Sequence, residues 1–244
     1  MSVGSPVIAE LASECGFDWL LFDLEHGCES EAALPAQLRA LRRSTTEAIV
    51  RVGAPHPDLI ARVLDWGAHG IMVPHVESAG EAQNCVRAAY YPPTGRRGYS
   101  RTVRAHGYGL RPPSDTPPAP VILAQIETLI GVQQAAAIAA VDGIDALFVG
   151  PADLNFDLRA RGSGCGYDDC LEIVAAAAAR HGKSTGILVR RAEDLPKVTG
   201  LGFTWLALDS DLSLLREGLA RNLRDARSSV ANRRPAQCDA PASA

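Results

Sequence analysis

Seven short apolar runs recur along this chain, each followed by a stretch whose apolar positions repeat at helical spacing. They are WLLFDLE (19–25), EAIVRVG (47–53), GIMVPHV (70–76), APVILAQIE (119–127), IDALFVGPADL (144–154), STGILVR (184–190) and FTWLALD (203–209). Runs rich in Val, Ile and Leu mark strands buried on both faces, and a helix after each supplies the cover. Glycines at Gly67, Gly182, Gly200 and Gly202 stand just before the next run, where they close a helix. A stub, MSVGSP, precedes a first helix from Val7 to Cys15 and adds one more unit. A ring of eight strand–helix units takes about 250 residues, and this chain has 244. The expectation is an α/β fold, a (β/α)8 TIM barrel with a shortened first strand. It spans 1–228 as one domain, and 229–244, ending in NRRPAQCDAPASA, reads as a disordered tail. A doubly wound sheet would bring fewer strands and a glycine fingerprint that is absent.

Composition excludes several classes of function. A net charge of −4 offers no electrostatic footprint for nucleic acid or an anionic membrane. No apolar segment approaches the roughly 20 residues of a membrane span, and the N-terminus lacks the basic start of a signal peptide. The six cysteines form no C-x-x-C pair, which speaks for reduced thiols in a cytoplasm over a disulfide framework or zinc site.

Polar residues interrupt the apolar runs at their C-terminal ends, where barrels of this kind build active sites. FDWLLFDLEHG ends in Asp23, Glu25 and His26, and the following runs end in Arg51, Pro74 with His75, Glu127, and GPAD with Asp153. Two carboxylates on adjacent strands, Glu127 and Asp153, are too few for a closed calcium cage. They suit Mg²⁺ or Mn²⁺, which keeps waters and substrate oxygens in its octahedron. His26 is a base or acid near neutral pH. Arg51 is a permanent cation for an enolate or carboxylate oxygen, and the GPAD amides make a carboxylate cradle. No lysine ends a run, since Lys183 and Lys197 fall in helix or loop contexts, so a Schiff-base mechanism lacks its nucleophile.

Plainer readings stand beside these. Glu127 and Asp153 could serve as helix N-terminal carboxylates, Arg51 as a rim ion-pair partner, and Glu25 as either ion pair or site member. His75 and His106 read as surface residues or as supports behind a site. The long loop 90–118 carries Arg96, Arg97, Arg101 and Arg104, which could grip an acidic substrate tail, form a solvated lid or make a subunit contact.

Taken in order, FDWLLFDLEHG, VRVGAPHPDLIARVLDWGAHGIMVPHVESAGEA, YYPPTGRRGYS, AQIET, VDGIDALFVGPADL and GILV resemble the HpcH/HpaI family. These are metal-dependent class II aldolases that cleave 4-hydroxy-2-oxo acids, or 2-keto-3-deoxy sugar acids, to pyruvate and an aldehyde through an enolate held on the metal. The resemblance runs from about Gly4 to Leu223. It implies that Glu127 and Asp153 bind a divalent ion (Mg²⁺, Mn²⁺ or Co²⁺), that Arg51 stabilises the enolate and that His26 does the acid–base work. Gln125 would line the pocket, and Gly150, Pro151 and Ala152 would meet the substrate carboxylate. Asp65, in VLDWGA, matches an aspartate that supports the histidine, with a subunit contact as one route. It further implies a homo-oligomer, a hexamer or trimer, acting on a small oxo acid. A CoA-ester lyase of the malyl- or citramalyl-CoA kind and a non-catalytic oxo-acid binder are the competing readings.

Overall fold

All seven apolar runs form strands, and every neighbouring pair is parallel. In the computed structural model, which describes residues 1–28, 30–112 and 118–231, they are β1 (Trp19–Asp23), β2 (Glu47–Arg51), β3 (Gly70–Val73), β4 (Val121–Ile126), β5 (Ala146–Val149), β6 (Ser184–Val189) and β7 (Trp205–Leu208). The sheet runs β1 to β7 in chain order. The helices are α1 (Pro6–Glu14), α2 (Leu34–Ala40), α3 (Pro57–Asp65), α4 (Ala79–Ala89), α5 (Leu129–Ala139), α6 (Pro151–Ala160), α7 (Tyr167–Arg180), α8 (Leu195–Gly200) and α9 (Asp211–Ala231). This is a nearly closed barrel of alternating strands and helices.

The outward strand faces and the helices share one large core, with Phe22, Val50, Ile71, Ile122, Leu147 and Ile187 on the sheet side. The inward positions form a second, smaller core of Ile49, Met72, Leu123, Ala146 and Phe148, packed by Trp19, Leu21 and Trp205. Trp19 on β1 and Trp205 on β7 approach to 5.4 Å between ring centroids, so aromatic side chains bridge the two strands at the ends of the sheet order. Phe148 meets Trp19 edge-on at 6.3 Å, an arrangement that suits the ring quadrupoles.

The expected shortened first strand does not form as a strand. Gly4 adopts φ +76 and Pro6 has no N–H, so the stub leaves the extended conformation before it can build a ladder. It nevertheless lies along the free edge of β1. The Met1 ammonium donates to the Leu21 carbonyl, and Asp23 N–H donates to the Met1 carbonyl at 3.2 Å. On its other side, Ser2 and Val3 N–H donate to the two oxygens of Asp211, the first residue of α9, at 2.7 and 3.1 Å. The stub thus ties β1 to the segment that follows β7.

Local capping fixes where each strand hands over to its helix. Ser5 caps α1, Ser78 caps α4, and Thr128 accepts from Gly131 N–H at 3.1 Å to cap α5. Thr128 directly follows Glu127, so strand and helix both clamp the position of that carboxylate. The loop after α4 turns to the opposite end of the barrel. There Arg104 donates to the carbonyls of Leu38, Trp66 and Gly67, at the C-terminal ends of α2 and α3, where a cation is favoured. Of the possibilities that the sequence left for this arginine-rich loop, its own chain's mouth is therefore not where Arg104 reaches.

Helix α9 extends to Ala231, past the expected domain end at 228, and only Asp211 and Ser213 of it are buried. The rest of the expected tail, 232–244, lies outside the described residues. Among the described residues no helix is long and apolar enough to cross a membrane.

Replacing Asp211 with alanine should free the stub. Losing a buried acceptor of two amides should cost about 1–3 kcal/mol, read as a lower denaturant midpoint. The amides of Ser2 and Val3 should lose hydrogen-exchange protection while those of β4 keep theirs.

Candidate active site

The inward alternation that builds the small core continues, two residues further along each strand, into a polar layer. After Trp19 and Leu21 comes Asp23, after Ile49 comes Arg51, after Leu123 come Gln125 and Glu127, and after Phe148 comes Gly150. Strand periodicity thus delivers these residues to the same mouth.

Asp23 and Arg51 are direct register partners on β1 and β2. Arg51 donates from Nε to Asp23 Oδ1 at 2.8 Å and from Nη2 to Oδ2 at 2.6 Å, a bidentate pair. Its remaining nitrogen, Nη1, lies 3.1 Å from Glu25 Oε2. Burial alone would raise the Asp23 carboxyl, but the bonds and charge of Arg51, aided by the amides of His26 and Glu25, hold it below the usual aspartate range. Burial works to lower Arg51, and Asp23, then Glu25 and Glu127, more than offset it. The guanidinium is therefore a fixed, oriented cation.

Glu127 is buried at the end of β4. Its Oε1 accepts from the His75 amide at 2.8 Å and lies 3.1 Å from His75 Nδ1. Its Oε2 accepts from Gln125 Nε2 at 2.5 Å. Burial raises the Glu127 carboxyl; the His75 amide and imidazole pull it back, and the charges of Glu25 and Asp153 add to the rise. Two neighbouring acids thus press on Glu127. A β-carbon at position 150 would come within 2.5 Å of Glu127 Oε2 and 2.9 Å of Gln125 Nε2, so glycine is what lets the loop close over this pair.

The residues named from sequence are only partly brought together. Arg51, Gln125, Glu127 and Gly150 converge, with Asp153 in the first turn of α6 close enough to act on Glu127. His26 sits exposed at the rim, Nε2 3.9 Å from Glu25 Oε1. In the GPAD loop the Gly150 amide is taken by the Ile126 carbonyl at 3.1 Å and Pro151 has none. The amides at the start of α6 that can receive an anion are therefore those of Ala152 and Asp153. Asp65 ends α3 at the far side of the barrel, where it accepts from Arg97 Nη2 at 2.6 Å. Within one chain the fold does not bring Asp65 to His26. His75, read from sequence as a surface or supporting residue, stands among the site carboxylates, with Nε2 3.7 Å from Glu25 Oε1. The signal was available: it follows a proline at a strand end, as a rim residue does.

A divalent cation suits this donor set. Glu25, His75 and Glu127 each offer a ligand atom, all within 4.8 Å of one another. Among the described residues the buried Gln125 Oε1 has no hydrogen-bond partner, and a cation relieves the repulsion that raises Glu127.

Replacing Asp23 with asparagine should cost about 3–5 kcal/mol, because it leaves Arg51 buried without its counter-charge. Since the folded-state pKa of Asp23 is lowered, the pair's contribution is present above the unfolded aspartate value, about pH 3.9. It is lost as pH falls towards the folded value. The stability difference between wild type and Asp23→Asn, followed by denaturant melts, should therefore shrink below about pH 4.

The chain matches the family model described as HpcH/HpaI aldolase/citrate lyase over residues 2–218. It is 37% identical over 219 residues to a 5-keto-4-deoxy-D-glucarate aldolase of Salmonella paratyphi C, covering 88% of this chain and 86% of that protein. To the protein of the same name from Klebsiella pneumoniae subsp. pneumoniae it is 36% identical over 229 residues, covering 92% and 89%. Among solved structures, an HpcH/HpaI aldolase/citrate lyase family protein from Burkholderia cenocepacia J2315 superposes with a TM-score of 0.85 at 32% identity, covering 93% of this chain and 92% of that one. With the barrel, the polar mouth and the sequence in agreement, the chain belongs to the HpcH/HpaI aldolase/citrate lyase family.

Proposed function

We propose that this chain is a divalent-metal-dependent aldolase that cleaves a 4-hydroxy-2-oxo acid to pyruvate and an aldehyde, with a deoxy-oxo sugar diacid as its substrate. The observation that carries the reading is the meeting of a fixed cation, Arg51, with the buried carboxylate Glu127 and its acidic neighbours, half-buried Glu25 and exposed Asp153, at one barrel mouth. The curated relatives named 5-keto-4-deoxy-D-glucarate aldolase favour a sugar diacid over a CoA ester or a merely bound oxo acid. Cleaving such a diacid at C3–C4, one bond removed from its keto carbon, yields pyruvate and a three-carbon hydroxy-aldehyde acid.

Glu127 and Asp153 would hold the ion. When bound, the ion draws electron density from the keto and carboxylate oxygens of the substrate as a Lewis acid. The chain's own groups then divide the work. The amides of Ala152 and Asp153 receive the carboxylate at the start of α6. His26, exposed at the rim, takes the proton of the 4-hydroxyl. The C3–C4 electron pair passes into the pyruvate enolate while C4 becomes the aldehyde carbon. Arg51, already charged and oriented by Asp23, stabilises the enolate oxygen without reorganising, and a proton returned to C3 completes pyruvate. Asp65, paired with Arg97 at the far end, could support His26 only from a neighbouring copy.

The chain acts as a homo-oligomer, a hexamer or trimer. Along α9, Leu212, Leu215, Leu219 and Leu223 recur at helical spacing and are all exposed, Leu219 to 70%, a stripe that a second copy would cover. The described cysteines are free, which suits a cytoplasmic setting.

Deuterium exchange of the pyruvate methyl protons, followed by NMR, tests the enolate chemistry without knowledge of the aldehyde. Exchange should need added Mn²⁺ or Mg²⁺, stop with EDTA and fall on the order of 100-fold or more in Glu127→Gln and Asp153→Asn. Pyruvate should also be released from 5-keto-4-deoxy-D-glucarate. No exchange by folded, metal-loaded protein overturns the assignment. For the assembly, Leu219→Glu with Leu223→Glu should reduce the mass seen by light scattering; an unchanged mass would remove α9 from the interface.

A further inference from the structure

We infer that His75 is a third protein ligand of the divalent ion, giving the site an oxygen-and-imidazole donor set that favours Mn²⁺ or Co²⁺ over Mg²⁺. The inference rests on the reading that Glu127 holds a divalent ion.

The backbone places this imidazole deliberately. His75 follows β3 and Pro74 with φ +52, a left-handed conformation that is costly for a non-glycine residue and that collects at functional sites. In that conformation its N–H reaches Glu127 Oε1 at 2.8 Å. The side chain is thereby turned over the same carboxylate while remaining 56% exposed towards the mouth. A residue needed only for its amide could be a glycine, at no strain.

The spacing of donors suits one ion. Ligands at bonds of about 2.1 Å in an octahedron lie roughly 3.0 Å apart when adjacent and roughly 4.2 Å apart when opposite. His75 Nδ1 is 3.1 Å from Glu127 Oε1, the spacing of adjacent ligands. Taken with one atom each, Glu25, His75 and Glu127 place their donors within 4.8 Å of one another. Neighbouring Arg51 is committed to Asp23 and Glu25, so the charge facing His75 from β1, β2 and β4 is that of carboxylates with one cation already spent. An imidazole nitrogen among carboxylate oxygens shifts selectivity from hard ions towards Mn²⁺, Co²⁺ and their neighbours.

Pulsed EPR of the full chain, stripped with EDTA and reloaded with Mn²⁺ alone, tests this, with ¹⁵N-histidine labelling to identify nitrogen. Directly bound imidazole should appear as nitrogen modulation that changes on labelling, vanishes in His75→Asn and survives in His26→Asn. Asparagine tolerates the left-handed backbone, and His75→Gly keeps it free of strain if asparagine fails to fold. The Kd for Mn²⁺ should rise roughly tenfold or more in either variant, with a smaller change for Mg²⁺. If Mn²⁺ binding depends on Glu127 but shows no histidine nitrogen, or shows nitrogen that persists without His75, the inference fails and the metal reading stands. If Mn²⁺ binds equally well to Glu127→Gln, or not at all to wild type, both fail.

Discussion

The bidentate pair between Arg51 and Asp23 is the interaction on which the site depends. Parallel strands in a barrel deliver their C-terminal ends to one opening, and here those ends carry acids. Arg51 lies in register with Asp23, so the pair adds a side-chain tie between β1 and β2 beside the backbone bond from Leu24 N–H to the Arg51 carbonyl. With Nε and Nη2 engaged, Nη1 is left to face Glu25, and Glu25 in turn faces His26 and His75. A neutral pair at these positions would leave Glu25 and Glu127 without a compensating charge beside them, which a buried mouth does not tolerate.

The second constraint is the closing of the barrel. Seven strands and a stub replace a ring of eight, and side chains take over work that a backbone ladder performs elsewhere. Trp19 and Trp205 meet across the interior, and Asp211 holds the amides of Ser2 and Val3. This is a polar clasp at the seam and an apolar plug beneath the polar layer of the mouth. The plug also sets the floor of the site, because the inward positions above Leu21, Ile49, Leu123 and Phe148 are the ones that carry Asp23, Arg51, Gln125 and Gly150. Core and chemistry are successive layers of the same alternation.

The long loop after α4 illustrates how charge in a sequence misleads about location. Its arginines read equally well as a grip for an acidic substrate. In the fold, Arg104 neutralises helix C-terminal carbonyls, and Arg97 is buried against Asp65 and over the Tyr91 ring. Both act at the end of the barrel opposite the carboxylates. The same placement separates Asp65 from His26 within one chain, while the exposed leucine stripe of α9 is the feature that invites a second copy.

The linear sequence determined the strand–helix rhythm, because burial on both faces of a parallel sheet leaves continuous apolar runs that no other element requires. It also determined that Arg51, Glu127 and Asp153 end strands or open helices at one rim, since the barrel sends all such ends the same way. Only the tertiary structure decided that the opening residues form a clasped stub, because a glycine and a proline matter there through the edge they fail to extend. It alone brought His75 over Glu127, because a positive φ turns a side chain in a direction that no periodicity encodes. It also moved Asp65 and Arg97 away from the mouth, since a helix end lies a full barrel height from the strand end and the sequence carries no measure of that distance.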